Sequence, residues 1–201
     1  MLTQGSKLCG VALLAALAAP AFGDINLEFR TTNPWNVGET VAVELYAVAD
    51  SPEPQSFSAI RLIFAWDPTY LQLVGRDQTG AVPLLSSGFP TSSWGLNEAI
   101  PPQDGDGLYQ ALALFNSPVW TSASGVLVTT LQFQALALTG GTPVDMWASG
   151  GTPPINTLVV DGVVPGLDVT GTLRGAVVQI IPEPTGVLLW LAGLGLVRRS
   201  R

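Results

Sequence analysis

The chain has 201 residues with fifteen acidic and eight basic side chains, no histidine and one cysteine, a formal net charge of −7. Between Asp24 and Ile181 the only basic residues are Arg30, Arg61, Arg76 and Arg174, so the surface repels phosphate backbones and argues against nucleic-acid binding. Without histidine, and with Cys9 the sole cysteine, a Ser-His-Asp triad and a thiolate or imidazole zinc site are excluded; carboxylate chemistry and calcium, which need only oxygen ligands, are not.

The first element is a leader. Lys7 precedes the short apolar run from Val11 to Ala19, the order of charge and hydrophobicity found in a secretory signal peptide. Two small-x-small sites follow, Ala19-Pro-Ala21 and Ala21-Phe-Gly23. Cleavage after Gly23 is preferred because Asp24 then opens an alternating strand; cleavage after Ala21 is the alternative. Cys9 lies before the apolar run, where it does not suit a lipoprotein anchor. Export implies the Sec translocon and signal peptidase as partners. It also leaves a domain with no cysteine, stabilised by its core alone.

Residues 24–181 are dominated by period-two alternation, not helical spacing. Val41, Val43, Leu45 and Ala47 fall on one face of a strand; Ile60, Leu62, Phe64 and Trp66 repeat the pattern until Asp67-Pro68 turns the chain. Leu71 and Leu73 begin a short strand ending at Gly75. Leu108–Phe115 and Val126–Leu138 are longer β-like runs, with Leu127, Leu131, Phe133 and Ala135 on one side of the latter. Residues 167–173 and 176–181 form a last pair about an Arg174-Gly175 turn. The reading is all-β: a single jelly-roll-like β-sandwich of about eight to ten strands.

Four stretches carry a resemblance to a known fold. Gly38-Glu-Thr-Val-Ala-Val-Glu-Leu45, Phe57-Ser-Ala-Ile-Arg-Leu-Ile-Phe64 and Trp66-Asp-Pro-Thr-Tyr-Leu-Gln-Leu-Val74 resemble the first half of a cohesin-like domain. Gly125-Val-Leu-Val-Thr-Thr-Leu-Gln-Phe133 resembles that family's strand before its closing hairpin. The resemblance implies a jelly-roll sandwich akin to some carbohydrate-binding modules. It does not map a dockerin-binding face onto these residues, and fold alone does not fix function.

Two groups are candidate sites. Asp104 and Asp106 alternate in a Gly-containing turn and could share a calcium ion, but Pro102 and Ala113 stand where a helix-loop-helix calcium loop needs acids. A solvated acidic turn before a strand at Leu108, with no metal and no cofactor, is the preferred reading. Of the six tryptophans, Trp190 belongs to the tail and Trp66 to the core pattern; Trp35, Trp94, Trp120 and Trp147 lie near loops. Trp94 and Trp120 are the candidate platforms for stacking on a sugar ring. A carboxylate pair for glycoside cleavage is not indicated by any spacing, so no catalytic residue is assigned.

The last element, residues 182–201, begins at Pro182-Glu183-Pro184. The apolar run from Gly186 to Val197 would reach about 18 Å as a helix, shorter than a bilayer core, and Arg198, Arg199 and Arg201 close the chain. Tripeptide, short greasy run and basic end, in that order, resemble the PEP-CTERM sorting signal of Gram-negative bacteria. The resemblance implies an exosortase-type membrane protease that recognises the tripeptide and removes the tail near Pro184. A sortase site fails because Glu183 replaces the proline it needs two residues before Thr185, and a glycolipid-anchor signal does not end in arginines. The expectation is an exported, non-catalytic cell-surface or extracellular-matrix protein, transiently anchored in the inner membrane. The alternative is a polysaccharide- or protein-binding module held by an uncut tail.

Overall fold

The computed structural model describes residues 23–90, 94–97 and 104–183. Ala21, Pro184, Arg198 and Arg199, with most of the leader and tail, lie outside them. In chain order the strands are β1 (Ile25–Arg30), β2 (Trp35–Asn36), β3 (Thr40–Ala49), β4 (Gln55–Trp66), β5 (Leu71–Asp77), β6 (Leu84–Gly88), β7 (Asp106–Ala113), β8 (Val119–Thr121), β9 (Val126–Ala135), β10 (Thr139–Trp147), β11 (Ser149–Gly150), β12 (Ile155–Asn156), β13 (Leu158–Asp161), β14 (Thr170–Arg174) and β15 (Ala176–Ile181). Ten of these have five residues or more, and no helix occurs among the described residues.

The strands build a two-sheet sandwich. Sheet A has five strands in the order β14-β1-β3-β9-β5. Sheet B has eight, in the order β2-β15-β10-β4-β7-β6, with β13 and β8 also paired to β4. Alternation fills the space between them. Val41, Val43, Leu45 and Ala47 from sheet A are fully buried and meet Ile60, Leu62, Phe64 and Trp66 from sheet B, none more than 6% exposed. Burying each such aliphatic or aromatic side chain contributes roughly 1.5–3 kcal/mol. Phe64 stands at the centre of an aromatic chain: its ring stacks on Trp66 at 5.6 Å and meets Phe29 edge-on at 6.2 Å, while Trp66 meets Phe133 at 5.4 Å. Phe29 and Phe133 come from sheet A, so the rings tie the sheets together.

Three expectations need correction. Leu127 is not in the core line with Leu131, Phe133 and Ala135. The β3–β9 register slips between Leu45 and Tyr46, so Val128 is the extra residue and turns inward in its place. Strand β5 continues past Gly75 to Asp77 through another register shift, which leaves Val74 on the surface. The last two strands do not pair. β14 lies parallel to β1 in sheet A, whereas β15 lies antiparallel to β10 in sheet B. Arg174-Gly175 is therefore a corner between sheets. Gly175 does not take the positive φ of a tight hairpin. It is needed for close approach, since a Cβ there would stand 2.7 Å from the Val144 carbonyl oxygen.

One part of the outer face of sheet B is covered. Ile63 and Leu108 point away from the main core and are buried under Leu96, with Ile155 packed alongside. Asn97 fixes this cover. Its side chain donates to the Leu108 carbonyl at 2.7 Å and accepts from the Leu108 amide at 2.9 Å. Among the described residues, the part of that face around Ala59, Arg61 and Leu112 is not covered in this way.

Candidate functional site

The open part of the sheet B face is the best-formed candidate. Along β4, Ala59 and Arg61 point outward by alternation from Ile60 and Leu62 in the core. Strand register sets their neighbours. Ala59 pairs with Val160 on one side and Leu112 on the other, and Leu112 pairs with Ser86. Arg61 pairs with Leu158 and Gln110. Two adjacent rows thus cross four strands, a width of ~14 Å at ~4.8 Å per strand. They line a groove of about 210 Å³.

The chemistry of this face is apolar with one basic centre. Leu112 is 47% exposed, and Leu158 and Val160 are half-buried. The Arg61 Nε donates to the Asn156 carbonyl at 2.8 Å, which holds the guanidinium over the sheet. Among the described residues no carboxylate lies within ion-pair distance of Arg61. The outer face of sheet A differs. There Arg30 bonds Glu28 through Nε and Nη2 and lies 4.1 Å from the centre of the Tyr46 ring, and Arg174 reaches Glu28 at 3.8 Å. On sheet A, Arg30 and Arg174 share Glu28, whereas on this part of sheet B Arg61 stands among apolar side chains with no carboxylate beside it among the described residues.

The tryptophans do not form one platform. Trp120 lies on β8, 57% exposed, opposite Ser56 near the start of β4. Trp94 is 36% exposed at positive φ, and its carbonyl accepts from the Thr152 amide at 2.6 Å, beside the cover over Ile63. From Ser56 to Ile63 an extended strand advances ~23 Å, so the two indoles sit towards opposite ends of the sheet. Trp66 is in the core as its alternation requires; Trp35 packs half-buried against the core from β2, and Trp147 is partly exposed at the end of β10.

Asp104 is exposed, while Asp106 is partly buried as the first residue of β7, opposite Ala65, so the strand begins two residues before Leu108. Gly105 between them has φ +92, and its carbonyl accepts from the Trp66 amide at 2.8 Å. Among the described residues no group of three or more His, Cys, Asp or Glu side chains is gathered around a point that could hold a metal ion. Gly23 and Asp24 precede β1, Asp24 exposed; Pro182 and Glu183 follow β15, both exposed.

Titration behaviour is structural here. Glu39 is held below the ordinary carboxylate range by the backbone amide and side chain of Asn36, and Asp77 by the amide and hydroxyl of Thr79. Both are turn caps. Burial pushes the Tyr109 phenol up. Its hydroxyl shares a 2.7 Å hydrogen bond with Ser87, which accepts from Gln78, and Gln78 also donates to Thr129 at 2.6 Å. This polar seam links sheet B to sheet A beside a groove of about 500 Å³ lined by Arg76, Pro83 and Leu85.

No protein-family model matches the chain, and no curated protein matches it. Solved structures do. A cohesin module from a Clostridium perfringens family 33 glycoside hydrolase matches with a TM-score of 0.56 at 13% identity, covering 80% of this chain and 99% of that one. The fold is cohesin-like. A type I cohesin, OlpA, solved in complex with a dockerin from Clostridium thermocellum, matches at 0.56 and 11% identity over 79% of this chain and 99% of its own. The sixth cohesin of Acetivibrio cellulolyticus scaffoldin B, in complex with a Cel5 dockerin mutant, matches at 0.53 and 17%, over 79% and 99%. At such identities the likeness concerns the fold.

The sequence did not single out the sheet B face. Its signal was the parity of β7: Leu112 shares the outward phase of Gln110, an apolar residue where alternation calls for a polar one. That signal acquires meaning only when β13 is placed beside β4, a pairing across about a hundred residues of chain.

Proposed function

We propose that this chain is an exported, non-catalytic protein-binding module displayed at the cell envelope, with the outer face of sheet B as its docking surface. The observation that carries the reading is the pair of rows Val160–Ala59–Leu112–Ser86 and Leu158–Arg61–Gln110. Its partner is a folded protein that sets apolar side chains on Leu112 and Leu158 and a carboxylate against Arg61. Cohesin-like neighbours solved with dockerins support a protein partner over a sugar. The separation of Trp94 from Trp120 points the same way, because those two indoles form no shared stacking platform.

The address reading comes from the two ends of the sequence. The leader directs export with cleavage before Asp24, the C-terminal signal holds the chain in the inner membrane, and an exosortase-type protease removes it near Pro184. Intact mass of the native protein from membrane and extracellular fractions tests this half: an extracellular form running from about Asp24 to about Pro184 supports it, and a membrane form retaining Arg201 supports the uncut anchor. The docking half is tested by immobilising the chain and comparing retention of envelope proteins by Leu112→Asp, Arg61→Glu and the sheet A control Val74→Asp. One retained protein, lost with the first two variants and kept with the third, is the expected result; equal retention by all three would end the sheet B assignment.

A further inference from the structure

The two ends of the sandwich differ in what they meet. Strand β3 runs ten residues from Thr40 at one pole to Ala49 at the other, ~33 Å of extended chain. The N-terminal side enters beside Ala49, where the Asp50 amide donates to the Asp24 carbonyl at 3.0 Å. Strand β15 ends at the opposite pole, where the Val37 amide donates to the Ile181 carbonyl at 3.2 Å and the Gly38 amide to that of Ala135 at 2.9 Å. The chain therefore leaves from the pole remote from its entry.

This exit pole exposes three large apolar side chains. Residues 136–138 cross it from β9 to β10, fastened by the Leu136 amide on the Tyr70 carbonyl at 2.8 Å. Thr139 pairs with Ile180, so Leu138 and Ile181, the adjoining residues, lie at the same end of this strand pair. Leu136, Leu138 and Ile181 are 41%, 54% and 42% exposed. The charged residues nearby, Glu39, Asp67 and Glu183, are all acidic.

The sequence brings this pole close to a membrane. Only Pro182 to Thr185 separate Ile181 from the apolar run that starts at Gly186, and the five steps between them reach at most ~18 Å when extended. We propose that, while the tail is in the bilayer, the exit pole rests on the lipid surface through Leu136, Leu138 and Ile181. The proposal depends on the membrane-anchored tail of the preceding section. The acids select neutral, zwitterionic headgroups over anionic ones. The contact is interfacial: isolated apolar side chains enter the headgroup boundary while the strands stand along the membrane normal. Sheet B then faces sideways, open to a partner, and the Phe115 and Trp120 end points away from the membrane.

The test uses the chain from Asp24 to Arg201, the form left after leader cleavage and free of cysteine, carrying a polarity-sensitive fluorophore at L138C or at F115C, mixed with phosphatidylcholine vesicles containing a lipid-borne quencher. Flotation of this chain, lost on truncation after Glu183, checks the tail. Given that tethering, the expected result is blue-shifted, strongly quenched emission from the L138C label, and unshifted, unquenched emission from F115C. Tethered chains in which the two labels behave alike would overturn the docked pole while leaving the anchor standing. Flotation that is absent, or unaffected by the truncation, would remove the anchor reading and the proposal with it.

Discussion

Asn97 acts as a strand for Leu108: its amide nitrogen donates to the Leu108 carbonyl at 2.7 Å and its oxygen accepts from the Leu108 amide at 2.9 Å. Asn97 is 1% exposed and has φ 57, a conformation asparagine tolerates better than most residues. This single side chain closes one end of the sheet B face and so defines where the open surface begins. Asn97→Ala leaves a buried amide and carbonyl of β7 unsatisfied and should cost about 2 kcal/mol or more. The urea midpoint of the variant measures it; a midpoint unchanged from wild type would mean that solvent already reaches Leu108.

Gly107 presents a packing prediction. A Cβ there would stand 2.5 Å from Cζ of Phe64, at the centre of the aromatic chain. Phe64 is fully buried and ringed by Phe29, Trp66 and Phe89. Gly107→Ala should therefore destabilise by about 1–3 kcal/mol through overpacking, read as a lower thermal midpoint with near-ultraviolet dichroism altered by the displaced rings.

The Tyr109 seam predicts an alkaline limb. Burial raises the phenol's pKa above its ordinary 10.0, so the folded state disfavours ionisation. Its contribution is complete below pH 10 and fades as pH rises through the folded value. Tyr109→Phe should lose about 1 kcal/mol at neutral pH, with Ser87 left short of a partner. It should also flatten the loss of stability above pH 10, and an alkaline limb of undiminished slope would assign that loss to other groups.

The acid side has the opposite sign. Glu39 and Asp77 are held below their ordinary values of 4.5 and 3.8, so the folded state favours their ionised forms. Their stabilising effect is present above those values and is lost as pH falls below them. Glu39→Gln combined with Asp77→Asn should make denaturation midpoints less steep with pH in that range. Unaltered steepness would show that these caps carry no proton linkage.

Much of the interior was legible in residues 41–47 and 60–66, because one face of each strand is buried and period two then has a single solution. Legibility stopped where a local pattern meets a non-local partner. The bulge that replaces Leu127 with Val128 depends on the register of β3, and Arg174-Gly175 reads as a hairpin until β14 is placed against β1 and β15 against β10. The docking face was hidden for the same reason. Arg61, Leu112 and Leu158 come from three strands, and none forms a motif alone. Trp94 and Trp120 were visible as large aromatics, but their separation belongs to the sheet and not to the sequence.

The most direct measurement is site-specific photocrosslinking in envelope fractions of the producing cells, with a photoreactive residue at Leu112 and, in parallel, at Tyr46 on the outer face of sheet A. The predicted result is one protein adduct from position 112, absent from position 46 and lost when Arg61→Glu is added. Adducts of equal yield from both faces, or an adduct at 112 that persists with Arg61→Glu, would contradict docking on sheet B.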